Sequence, residues 1–141
     1  DALIKGLRWK QHQLATGKSQ NEAFFFRDLD GDGVPEIVVD SWIDDDPMVA
    51  WQLSKSPSGT PLLKRRELGA SGNGHGMAFG DVNGDGRKDI LCRTGWYEGP
   101  SSGSLEVEWT FHSDWELPAG ACPSLVVDLN DDDRNDLIWG S

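Results

Sequence analysis

Three stretches of the chain place oxygen-bearing side chains at alternating positions: DLDGDGVPE from Asp28, DVNGDGRKD from Asp81 and DLNDDDRND from Asp128. Carboxylates or amides at positions 1, 3 and 5, a backbone carbonyl at 7 and an acid at 9 can wrap a hard cation of calcium's size, which takes about 6–8 oxygens. Glycine at position 6 allows the sharp turn with positive φ that this wrapping needs. The first loop supplies Asp28, Asp30, Asp32, the carbonyl of Val34, and Glu36. The second supplies Asp81, Asn83, Asp85, the carbonyl of Arg87, and Asp89. The third supplies Asp128, Asn130, Asp132, the carbonyl of Arg134, and Asp136.

Rival metal chemistries fit less well. An EF-hand begins in the same way but needs a bidentate Glu at position 12 and flanking helices, whereas position 12 here is Val39, Cys92 or Trp139. Magnesium demands tight octahedral geometry and keeps its waters. Softer metals prefer His and Cys, which the loops lack. A lone Asp-Gly turn could be only a turn, but three copies at matched spacing, each closing with an acid, point to two or three Ca²⁺ sites. Asp133 replaces the position-6 glycine in the third loop, at a cost of ~1 kcal/mol, so this site is expected to bind most weakly.

The elements that hold these loops read as strands. AFFFR and EIVVDSW flank the first loop, GMAFG and DILCRT the second, SLVV and DLIWG the third. All are short runs of β-branched and aromatic residues bounded by Gly, Asp and Asn. Further strand candidates lie at 7–14, 48–54, 61–68 and 104–115, punctuated by the turn-rich segments SKSPSG, GASGNG and YEGPSSG. Nothing sustains a 3.6-residue apolar period.

Asp28, Asp81 and Asp128 stand in register at a spacing near the ~40–50 residues of propeller blades. Trp9 and His12 precede Asp28 by the same offsets as Trp109 and His112 precede Asp128, so the repeat reaches beyond the loops. A four-stranded antiparallel unit follows, with the acidic loop joining its first two strands. The expected organisation is the end of one unit at 1–16, whole units at 22–69 and 75–117, and a first hairpin at 122–141. A closed propeller needs about 4–8 blades and these are fewer than three. The expectation is a partial propeller from a longer protein or a ring closed by association of copies, with self-association the default because both ends leave sheet faces open.

Composition narrows the partners. The 37% hydrophobic content is enough to fill a core for a single domain, and a formal charge of −11 disfavours nucleic acid and anionic membranes while favouring cations. No apolar run is long enough for a membrane-spanning helix. The chain opens on Asp1 with no leader pattern, as a mature or excised piece would.

With loops, strands and spacing in hand, the chain resembles the FG-GAP or VCBS repeat family, the calcium-loop repeats of integrin α-subunit propellers and of many secreted bacterial proteins. FRDLDGDGVPEIVV, FGDVNGDGRKDIL and VVDLNDDDRNDLIWG carry the resemblance. GWYEGP (95–100) and WTFH (109–112) are similar to elements of planctomycete-type secreted members. The resemblance implies a β-propeller with a calcium loop between the first two strands of each blade, in an extracellular or periplasmic protein. Glu36 in place of the usual Asp, Asp133 in place of Gly, and the missing blades depart from that pattern.

Other residues invite function. Trp9 and Trp109 recur at matched positions, as blade-packing residues do, whereas Trp42, Trp96, Trp139 and Tyr97 are the candidates for sugar platforms. His12 and His112 share a repeat position suited to packing or surface, and His75 lies in a glycine-rich loop. Asp44 to Pro47 reads as a solvated turn, and Cys92 and Cys122 as free, mostly buried thiols too far apart in depth to pair. There is no nucleophile elbow, no dinucleotide motif and no convincing acid and base pair. The leading expectation is therefore a non-enzymatic, calcium-stabilised module that binds protein or carbohydrate. The alternatives are the scaffold of a carbohydrate-active enzyme such as a polysaccharide lyase, and a self-associating unit that closes a ring.

Overall fold

The computed structural model describes residues 14, 21–43, 46–118 and 124–140, and within them every regular element is a β-strand. Trp9, His12, Asp44, Asp45 and Cys122, and the strand expected at 7–14 apart from Leu14, lie outside the described residues.

Two four-stranded antiparallel meanders and one hairpin follow in chain order. The first sheet holds β1 (Asn21–Arg27), β2 (Glu36–Ser41), β3 (Asp46–Lys55) and β4 (Pro61–Asn73). The second holds β5 (Met77–Gly80), β6 (Asp89–Cys92), β7 (Gly95–Glu98) and β8 (Thr110–His112), and the third pairs β9 (Leu125–Val127) with β10 (Asp136–Ile138). Each acidic loop is bracketed by the same pairing, Arg27 with Glu36, Gly80 with Asp89 and Val127 with Asp136. The loop's ninth residue is thereby fixed in a strand.

The strand pattern corrects the sequence reading in four places, the first being Asp46 and Pro47, read as part of a solvated turn but found at the start of β3. All of GASGNG but its last glycine is part of β4 and not a turn, and Asn73 anchors it. The buried Asn73 amide accepts from the Ser41 N–H at 3.0 Å and donates to the carbonyls of Val39 at 3.0 Å and Pro47 at 3.3 Å. Tyr97 and Glu98, read as the start of a turn, belong to β7. Of the strand expected at 104–115, only Thr110–His112 pairs with a neighbour.

The sheets pack face to face. Val38, Met48, Ala50 and Leu68 of the first bury Met77, Ile90, Cys92 and Tyr97 of the second, and the rings of Phe25 and Phe79 meet at 5.2 Å. Ala78, Leu91 and Trp96, on the opposite face of the second sheet, pack against Val126 and Leu137 of the third. All four residues of β6 are therefore buried, as expected of a strand covered on both faces. Glycine sets how closely the sheets approach. A Cβ on Gly69 would strike the Tyr97 ring, and one on Gly80 would strike Val126.

Candidate metal centres

The three loops share one hydrogen-bond scheme. The position-1 carboxylate turns back over the loop, so that Asp28 accepts from the N–H groups of Gly31 at 2.8 Å and Gly33 at 3.1 Å. Asp81 does the same with Gly84 at 2.7 Å and Gly86 at 2.8 Å, and Asp128 accepts from Asp133 at 2.9 Å. Position 5 accepts from the N–H of position 7 in every loop: Asp32 from Val34 at 2.7 Å, Asp85 from Arg87 at 2.8 Å, Asp132 from Arg134 at 3.0 Å. Position 9 accepts from the N–H of position 2: Glu36 from Leu29 at 3.0 Å, Asp89 from Val82 at 2.8 Å, Asp136 from Leu129 at 3.0 Å. Position 3 accepts from position 5, through Asp30, Asn83 and Asn130.

Both position 4 and position 6 lie in the left-handed region. Gly31, Gly33, Gly84 and Gly86 have φ between 78° and 85°, and Asp131 and Asp133 take φ of 59° and 65°. The sequence reading found only the second of these strained aspartates. Position 6 carries the special glycine of calcium loops such as the EF-hand, whereas position 4 has no such local signal.

Convergence differs among the loops. Ligand atoms of Asp28, Asp30 and Glu36 all lie within 4.8 Å of one another, the only such group of three among the described residues. Asn83 and Asn130 at position 3 leave the other two loops three carboxylates among positions 1, 3, 5 and 9, against four in the first. In the second loop Arg87 was expected to contribute only its carbonyl, yet its guanidinium lies 2.5 Å from Asp85, 2.8 Å from Glu98 and 2.6 Å from the Gly99 carbonyl. A cation there would compete with Arg87 for Asp85.

Burial raises the pKa of the Glu36 and Asp89 carboxyls. Glu36, only 2% exposed, is pushed above its ordinary 4.5 by desolvation, with the charges of Asp30 and Asp32 adding to the effect. Asp89 is likewise raised above 3.8 by desolvation, with Asp85 and Asp81 adding. Asp128 goes the other way, because the N–H groups of Asp133, Asp132 and Asn130 outweigh its desolvation. The donor set is all oxygen, and the turns are already formed by N–H groups, which suits a hard cation in each loop.

Neighbouring loops are linked through position 8. Lys88 donates to the carbonyl of Asp28 at 3.3 Å, and Asn135 donates to the carbonyl of Asp81 at 2.8 Å.

The aromatic candidates divide. Trp96 and Tyr97 are 5% and 3% exposed, which overturns their reading as sugar platforms. Trp96 stacks on His112 at 4.2 Å and donates to Asp114, while His112 meets Glu98 at 2.8 Å. The WYE and WTFH motifs thus form a clamp between β7 and β8. Trp109 is buried, Trp139 is half-buried over Gly76, and Trp42 is 50% exposed. Cys92 is free and buried. No family model matches the chain, and neither the curated proteins nor the solved structures return a match.

Proposed function

We propose that the chain is a calcium-binding segment of a β-propeller of the FG-GAP or VCBS type, acting without catalysis as an extracellular or periplasmic binding module for protein or carbohydrate. The single hydrogen-bond scheme repeated in three acidic loops carries this reading. A turn needs no acid at position 9, yet each loop places one there, two of the three buried, and each accepts from the N–H of position 2. Asp28, Asp30, Asp32, Glu36 and the Val34 carbonyl would hold the first ion, with the corresponding residues of the other loops holding two more. The ion would supply charge neutralisation and a tie between adjacent strands. Three divalent ions would take the formal charge from −11 to −5.

Trp42, exposed at the end of β2, is where a ligand search begins, since it alone of the proposed platforms keeps half of its surface open. Calorimetric calcium titration of EDTA-stripped protein tests the reading. Two or three sites per chain, with Glu36→Gln weakening the tightest, support it. An absence of binding, with no shift in melting temperature, would reduce the loops to turns.

A further inference from the structure

Among the described residues, the stack of sheets ends on two exposed apolar faces. On the first sheet Phe24 and Phe26 are 63% and 55% exposed, and Ile37 and Val39 stand opposite them on β2. On the third sheet Leu125, Val127 and Ile138 are exposed.

Strand register makes these faces the two halves of one joint. The pairs Phe24 with Val39 and Phe26 with Ile37 are the counterparts of Met77 with Cys92 and Phe79 with Ile90, which the first sheet covers. Leu125 with Ile138 is the counterpart of Ala78 with Leu91, which the third sheet covers. The same two kinds of surface thus close on each other twice within the molecule. By register, each open face corresponds to the kind of surface that covers the other at the internal joints.

We propose that copies of this chain associate head to tail, the outer face of the third sheet of one copy seated on the outer face of the first sheet of the next. Such a joint is heterologous, so it builds a ring if the rotation closes and a filament if it does not. It depends on sheet packing and not on cation binding. It also lacks the link found at the internal joints, because position 8 of the first loop is Pro35, which has no donor to offer the Asp128 carbonyl. Apolar contact alone holds the copies, and association is therefore reversible and concentration-dependent.

Sedimentation velocity of the full chain over about a hundredfold range of concentration reads the association directly. Phe24→Asp blocks the first-sheet face and Ile138→Asp the third-sheet face, and unchanged strand content by circular dichroism confirms that each variant is folded. Each variant alone should self-associate at least about tenfold more weakly. An equimolar mixture of the two should form dimers and nothing larger, because only one usable joint remains between them. Phe26→Ser and Leu125→Ser repeat the experiment with milder changes should either aspartate prevent folding. A wild-type chain that stays monomeric throughout overturns the proposal. Association that survives both substitutions, or a mixture that remains monomeric, overturns it as well.

Discussion

Glu36 and Asp89 close their loops from inside the protein, and burial makes both hold a proton more tightly than they would in the unfolded chain. Between their ordinary values and the raised ones the folded state binds more protons, so metal-free stability falls as pH rises through that window. Asp85 and Asp128 are shifted down; for each, desolvation opposes the shift and N–H donors outweigh it, and their contribution is lost only as pH falls below 3.8. EDTA-treated protein should therefore melt higher at about pH 5 than at about pH 7. Calcium needs the ionised acids, so the increment in melting temperature on adding it should be larger at the higher pH. Asp131 and Asp133 supply a second case. Replacing both with Gly removes two strained left-handed residues and two negative charges, and should stabilise the metal-free protein by roughly 1 kcal/mol, read by urea denaturation. Of the three sites, the third should remain the weakest; a titration in which Asp128→Ala removes the tightest one would contradict this.

At the scale of elements, the clamp across β7 and β8 and the amide at the end of β4 do the positioning. His112→Ala removes the stack on Trp96 and the contact with Glu98, and should cost about 1–3 kcal/mol. Glu98 would keep Arg87, so the second loop should survive with its calcium affinity little changed. Asn73→Leu removes the buried amide that bonds the Ser41 N–H and the carbonyls of Val39 and Pro47, and should cost about 2–3 kcal/mol. Hydrogen exchange should locate that loss at the β2, β3 and β4 ends rather than at the loops.

For the whole molecule, stability resides in two joints between sheets and in the charge of three loops. Gly80→Ala drives a methyl into Val126 and should cost about 1–3 kcal/mol, loosening the third hairpin first. If the loops bind calcium as proposed, the ion at about a hundredfold over its dissociation constant should add ~2.7 kcal/mol per site. For a chain of this length that is a rise on the order of 10 °C per site, read by thermal unfolding. Removing calcium should return all of it.

The sequence alone determined the loops, their spacing and the strands beside them. Local alternation, β-branched runs and the position of each Asp and Gly encode those features within a few residues. What it could not determine arises from residues far apart in the chain. Trp96 and Tyr97 look like open aromatics beside a turn, but the third and first sheets cover them. GASGNG has the composition of a turn, but Asn73 ties it to two other strands. Arg87 reads as a backbone ligand, but its side chain finds Glu98 across the sheet. Local chemistry sets which segments turn and which extend. Only packing between sheets decides which of their side chains remain free to act.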